Sequence, residues 1–270
     1  MQSPNAPIGI FDSGIGGLTV ANAILKRMPN ERIIYFGDTA HLPYGDKSAK
    51  AIQAYCSAIT HFLIGKGCKM VVVACNTASA VAFREVKKIC GKEVLSENVI
   101  DPVVAHLADM EKTKHVGIIG TKRTVSTRAY TKRIQKAHAY MSTSELATPL
   151  LAPMIEEGFF NNKISQTIIN SYLSRKTLDK IDTLILACTH YPLIQAEIHN
   201  YYKDEVRIID SAGAVADAVQ LQLIEKGLLN KQVSAAKHEF YLSDFTSSFE
   251  ETARIFFPGQ PKLKEMNLWA

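Results

Sequence analysis

VVVACNTASA, residues 71 to 80, starts as an unbroken apolar run, breaks at a cysteine and continues with helical periodicity; TLILACTHYP, residues 183 to 192, breaks at a cysteine in the same way. A short apolar run bounded by polar residues reads as a strand buried on both faces. A strand that passes directly into a helix is the repeating unit of a parallel sheet. Similar runs occur at PIGIF (7 to 11), RIIYFGD (32 to 38), KMVVVAC (69 to 75), HVGIIG (115 to 120), DTLILAC (182 to 188) and VRIID (206 to 210), and HEFYLSDF supplies a further strand. Helical patterns separate them at GGLTVANAILKRM, SAKAIQAYCSAITHFLIG, TASAVAFREVKKIC, PVVAHLADM, TVSTRAYTKRIQKA and AGAVADAVQLQLIEKG. The fold class that follows is α/β, with parallel sheets covered by helices on both faces.

Totals narrow the function. The chain has 270 residues, 47% of them hydrophobic and 21% charged, enough apolar material for one large or two modest globular domains, of which two is the expectation. A net charge of +5 is spread over single surface residues such as Lys87, Lys88, Lys132 and Arg133 rather than a basic arm, so no nucleic-acid partner is expected. MQSPNAPIGIF lacks a basic segment followed by a long apolar run, and no stretch approaches a membrane span. The expected location is the cytoplasm, with no membrane partner. That compartment keeps Cys56, Cys68, Cys75, Cys90 and Cys188 reduced, and their odd number and spacing suggest no disulfide framework. Cys56, Cys68 and Cys90 fall in or beside helical patterns, where a small buried thiol is the ordinary reading.

In open parallel sheets ligands bind beyond the carboxyl ends of the strands. Five such ends carry chemistry: Asp12-Ser13, Gly37-Asp38-Thr39, Cys75-Asn76-Thr77, Gly120-Thr121 and Cys188-Thr189-His190. Ser13 and Cys75 have counterparts in Thr121 and Cys188, offset along the chain by nearly the same distance, which suggests a duplicated unit. Two halves facing each other about a pseudo-twofold axis would turn both thiols into one cleft.

Several chemistries fit two such thiols. Cys75, Cys188 and His190 could be gathered around zinc, but no CxxC or HExxH supports that, and no metal is expected. A Cys-His amidase or transferase would use one thiol and leave the second without a task. Two acid/base thiols use both: one takes a proton from a carbon while the other returns one to the opposite face, inverting the centre. Cysteine suits this because its ordinary pKa of ~8.5 can be drawn toward neutrality. Asp12 and His190 are the natural proton partners, and Ser13, Asn76, Thr77, Thr121, Thr124 and Thr189 offer neutral donors and acceptors for a carboxylate and an ammonium group. Each has a plain structural reading too: Asp12 as a helix cap, His190 as a packing residue, the thiols as core. FDSGIGG matches neither GxGxxG nor GxxxxGK[ST], so no phosphate loop is inferred.

Taken in order, FDSGIGGLTV (11 to 20), GDTAHLPYG (37 to 45), VACNTASA (73 to 80), GTKRTVSTRAY (120 to 130), PMIEEG (153 to 158) and ACTHYPL (187 to 193) resemble the motifs of the bacterial, cofactor-independent glutamate racemases of the Asp/Glu racemase family. The resemblance implies a two-base racemase that supplies D-glutamate for peptidoglycan, with no cofactor and commonly as a homodimer. It implies that Cys75 acts on the D-enantiomer with help from Asp12, and Cys188 on the L-enantiomer with help from His190. It adds Tyr44 and Gly45 to the substrate contacts Asp12, Ser13, Asn76, Thr77, Thr189 and His190. Thr121 and Thr124 would meet the substrate carboxylate, and Asp38 and Glu156 resemble acidic residues of the family's site. It further implies two similar domains with the active site between them, residues 1–97 plus 210–270 and residues 98–209. The chain departs from the common pattern at His41, where the family usually has Arg, and mildly at Thr127 and Ala187. A racemase for aspartate or a hydantoin would use the same two thiols. A non-catalytic two-domain amino-acid binder is the reading from another class.

Overall fold

The computed structural model describes residues 2–110, 113–232, 237–257 and 261–269. The chain begins β1 (Ile8–Asp12), α1 (Leu18–Arg27), β2 (Ile33–Gly37), α2 (Ala49–Gly65), β3 (Met70–Val73), α3 (Asn76–Val81), α4 (Phe83–Cys90), β4 (Leu95–Asn98) and α5 (Asp101–His106). It continues β5 (His115–Gly120), α6 (Lys122–Thr127), α7 (Ala129–Ala137), β6 (Ser142–Ala147), α8 (Leu151–Glu156), α9 (Lys163–Leu173), β7 (Thr183–Ala187), α10 (Gln195–Tyr202) and β8 (Arg207–Ile209). It closes with α11 (Ser211–Glu225), β9 (Glu239–Leu242), α12 (Ser247–Phe256) and β10 (Leu263–Glu265).

The strands form two sheets, one in the order β10-β9-β2-β1-β3-β4 and one in the order β6-β5-β7-β8, with parallel pairings throughout. Within β2-β1-β3-β4 and β6-β5-β7-β8 the pattern is the same. The first strand of each set lies inside, flanked by the second on one side and the third on the other. Cys75 follows the third strand of one set and Cys188 the third strand of the other. The duplication expected from the strand ends is therefore present in the topology.

Burial explains the apolar runs. Ile8, Ile10, Ile33, Tyr35, Met70 and Val72 pack on one side of the first sheet, and Phe11, Ile34, Phe36, Val71 and Val73 on the other, against Ile52, Cys56, Ile59 and Leu63 of α2. Each such aliphatic side chain stabilises the fold by about 1.5–3 kcal/mol relative to exposure. The first of these cores continues through α1, α5 and α11 into the second sheet, where Val116, Ile118, Leu184 and Leu186 belong to the same cluster. The two halves are thus packed on shared apolar contacts. Local polar residues set helix starts: Ser48 caps α2, Asp210 caps α11, and Asn162 with Ser165 forms a capping box on α9.

The expected strands are found, and so are some that periodicity does not reveal. LSEN of β4 and STSELA of β6 are short edge strands, each with half-buried residues, and carry too little apolar signal. Two expected helices are broken in two. The segment after Cys75 divides at Ala82 into α3 and α4, and the segment after Gly120 divides at Arg128, whose φ of 53° is left-handed. Both breaks let a short first helix follow its strand end while the second packs independently.

At the amino ends of the strands of the first sheet, Lys69, just before β3, is fully buried. Its Nζ donates to Glu31 Oε2 at 2.6 Å, to the Pro4 carbonyl at 2.6 Å and to the Leu228 carbonyl at 2.8 Å. Removing one member of a buried ion pair leaves the other uncompensated. Lys69→Met is expected to lower stability by about 3–5 kcal/mol in urea unfolding; a loss below about 1 kcal/mol would show that Glu31 is satisfied without it.

Candidate active site

Register aligns the chemistry. β1 pairs Asp12 with Gly37 and Phe11 with Val73, and β5 pairs Gly120 with Ala187. Residues just past these pairs, among them Ser13, Asp38, Cys75, Thr121 and Cys188, therefore emerge together at the carboxyl edges. Between the two sheets lies a cavity of about 220 Å³ lined by Ser13, Tyr44, Gly45, Cys75, Asn76, Thr77, Thr121, Glu156, Cys188, Thr189 and His190, with Leu42, Pro43, Ala152, Pro153 and Ala187 as its apolar wall. Its size suits a small metabolite better than the larger ligands that occupy about 300–1,000 Å³. Sequence reasoning missed the apolar wall, although Pro153 and Ala187 sit inside motif blocks it had singled out.

The two thiols have different surroundings. Cys75 caps α3, its Sγ accepting from the Ala78 amide at 3.4 Å and donating toward Ser13 Oγ at 3.7 Å. Burial, and then the charge of Asp12, push the Cys75 thiol up to about 12, so it holds its proton at neutral pH. Cys188 Sγ lies 3.6 Å from His190 Nδ1, and His190 Nε2 lies 2.8 Å from Glu156 Oε1. The latter is a charge contact off the line of the N–H, since Nε2 has no aligned hydrogen-bond acceptor. Burial by itself would lower the His190 pKa, but the hydrogen bond and charge of Cys188, with the charge of Glu156, overcome it and hold it well above the usual histidine range. One wall therefore offers a protonated thiol and the other a thiol beside an imidazolium.

Space for the imidazole depends on Gly16. A Cβ there would stand 2.6 Å from His190 Cε1 and 2.6 Å from Thr189 Oγ1. Gly45 similarly lets the 42–46 segment close onto the other half, where an added Cβ would come within 2.9 Å of Thr121 Cβ.

Three of the expected site residues stand behind the cavity and do not line it. Asp12 is buried beneath, its Oδ2 accepting from the Gly17 and Gly14 amides at 3.0 and 3.3 Å while Oδ1 has no partner among the described residues. Burial pushes its carboxyl up, against the pull of nearby His190 and the backbone amides. Thr124 closes a triangle of hydroxyls that joins the halves: Thr77 Oγ1 is 2.9 Å from Thr121 Oγ1 and 3.1 Å from Thr124 Oγ1, and Thr121 is 3.1 Å from Thr124. Asp38 accepts from Tyr44 Oη at 2.6 Å and Ser243 Oγ at 2.8 Å, and lies 3.0 Å from His41 Nδ1. It holds the segment that carries Tyr44. His41, where an Arg was expected by resemblance, stacks on Tyr55 at 3.8 Å and meets Trp269 edge-on at 4.7 Å, so its ring is committed to packing.

Among the described residues no group of three or more His, Cys, Asp or Glu could hold a metal ion. No helix among them is long and apolar enough to cross a membrane.

Comparison with known proteins gives a consistent set of relatives. A family model described as Asp/Glu/Hydantoin racemase matches residues 18–219. The chain is similar to a glutamate racemase from Chlorobaculum parvum, 39% identical over 93% of this chain and 92% of that one, and to one from Chlorobium phaeobacteroides, 41% identical over 94% and 93%. Among solved structures it superposes on glutamate racemase from Francisella tularensis subsp. tularensis SCHU S4 in complex with D-glutamate, with a TM-score of 0.92 and 35% identity over 98% of this chain and 99% of that one.

The His190 charge can be examined without reference to any reaction. Glu156→Gln removes one of the two partners that raise its pKa, so the imidazole is expected to titrate at lower pH in an NMR titration. An unchanged titration would assign the whole effect to Cys188.

Proposed function

The chain belongs to the Asp/Glu/hydantoin racemase family, and on that premise we propose that it interconverts L- and D-glutamate without a cofactor, by proton transfer between Cα and two thiols on opposite faces. The observation that carries this reading is that Cys75 and Cys188, from equivalent strand ends of a duplicated fold, line one small cavity. Glutamate is favoured because the relatives above are named for it and one of the solved structures holds D-glutamate.

Starting from L-glutamate, Cys188 as thiolate, opposite the imidazolium of His190, removes the α-proton. The electron pair left on Cα spreads into the α-carboxylate. Cys75 then donates its thiol proton to the other face, and the enzyme is left with a Cys188 thiol and a Cys75 thiolate. Starting from D-glutamate the same steps run in reverse. Asp12, close enough to Cys75 for its charge to be felt, helps to carry that proton, and Glu156 holds His190 in its charged form. Ser13, Asn76, Thr77, Thr121, Thr189 and His190 bind the substrate's carboxylates and ammonium from the cavity wall. Tyr44 and Gly45 bind from the segment that covers it. Thr124 and Asp38 act from behind by holding Thr77, Thr121 and Tyr44. The apolar wall excludes water, which helps a weakly acidic Cα–H to ionise.

Residues 1–97 with 210–270, and 98–209, form the two domains that close over the substrate. The product supplies D-glutamate for peptidoglycan in the cytoplasm, and the working form is a homodimer.

Because each direction needs both thiols, Cys75→Ser and Cys188→Ser are each expected to reduce racemisation of both enantiomers, followed by circular dichroism, by about 10²–10⁴-fold. A variant that kept full turnover would return the site to a single-nucleophile reading. A wild-type protein that racemised aspartate and left glutamate unchanged would retain the mechanism and replace the substrate.

A further inference from the structure

Asn76, the residue after Cys75, borders the cavity and is 2% exposed. Its Oδ1 accepts a 2.6 Å hydrogen bond from the Tyr130 hydroxyl, while its Nδ2, also buried, has no partner among the described residues. The bond crosses the molecule: Asn76 opens α3 beside the first sheet, and Tyr130, fully buried, lies on α7 beside the second.

The two ends of an asparagine amide are nearly the same size and opposite in hydrogen-bonding sense, so shape alone does not decide which faces a ligand. Here the Tyr130 phenol takes the oxygen end. Burial pushes the Tyr130 hydroxyl well above its usual pKa, so the phenol stays neutral and keeps the proton it donates to Asn76 Oδ1. With the oxygen taken by that donor, the nitrogen of this cavity-lining residue is left without a partner among the described residues. Leaving a buried N–H unpartnered is costly, and the cost is recovered when an acceptor arrives.

We propose that Tyr130 is a positioning residue that holds the Asn76 amide with its nitrogen facing the cavity, where an oxygen of the substrate carboxylate accepts from it. This rests on the amino-acid racemase reading, and it adds a residue that never touches substrate. The bond also makes part of the binding wall depend on the two halves being in register, since Tyr130 of α7 must reach Asn76 of α3 for the amide to be correctly turned.

The test is a double-mutant cycle with an NMR readout beside it. Tyr130→Phe removes only the hydroxyl. Losing one well-made hydrogen bond to a substrate is expected to raise KM for both enantiomers about tenfold with kcat within about twofold, the pattern of lost uniform binding. In an Asn76→Ala background the same change is expected to have no further effect, because Tyr130 acts through Asn76. An unchanged KM, or an equal loss in both backgrounds, would overturn the assignment. In the unliganded protein labelled with ¹⁵N-asparagine, the Asn76 side-chain amide should give one defined pair of signals that shifts or broadens in Tyr130→Phe. If that pair is unaltered, Tyr130 does not orient the amide. This second readout holds even if the wild-type protein fails to racemise glutamate, which would refute the function and leave the role of Tyr130 to be decided by the amide signals.

Discussion

A strand buried on both faces has no room for polar side chains along its length, and β3 (MVVV) and β7 (TLILA) obey this almost completely. Chemistry is deferred to the first residues beyond the ladder. Parallel pairing then requires that neighbouring strands release their polar residues at the same edge, as Asp12 with Gly37 and Gly120 with Ala187 demonstrate. Because the strand order is repeated in both halves, the rule operates twice and brings two cysteines to one cavity. The remaining features serve that convergence: the shared apolar core holds the sheets in place, and the threonine triangle and the Tyr130–Asn76 bond tie their edges across the gap.

Equivalent position has not produced equivalent surroundings. Cys75 looks toward a serine and a buried carboxyl, and Cys188 toward a histidine that is itself held by a glutamate. This asymmetry fits a pair that shares one mobile proton. Enantiomers have equal free energy, so the proposed reaction has no overall drive in either direction. Burial and the charge of Asp12 hold Cys75 in its thiol form, while an imidazolium stands beside Cys188. In the proposed reaction the ammonium and carboxylates of the amino acid would add their charges between the two thiols.

Much of this was legible in the residues because strand ends are marked by an abrupt change from apolar to polar. Cys75, Cys188, Ser13, Asn76 and Thr189 could be picked out in that way, and the cavity collects them. Tyr44, Gly45 and Glu156 were accessible only by resemblance, since they come from single turns and a short helix with no periodic signature. What could not be read was depth. Nothing in FDSGIGG indicates that Asp12 lies beneath the cavity and Ser13 beside it, and nothing in GDTAHLPYG indicates that Asp38 faces Tyr44 and Ser243, a residue far along the chain. Tyr130 stood inside a quoted motif without a role, because its partner is in the other half and only the packing of α7 brings them together. The polar edge strands β4 and β6 escaped for the reason that polar edges generally do: their pairing is made by backbone groups, which carry no side-chain signal.

The central claim is that protons leave and return by different sulfurs on opposite faces, and it is tested most directly by running the reaction from pure L-glutamate in deuterated buffer to low conversion. The α-hydrogen content of residual substrate and new product would then be measured separately. Two thiols, one of which has exchanged with solvent before it donates, predict that every D-glutamate formed carries deuterium at Cα while unreacted L-glutamate keeps its hydrogen. Product that retains the original hydrogen, or substrate labelled as fast as product appears, would mean that a single group serves both faces and would contradict the account.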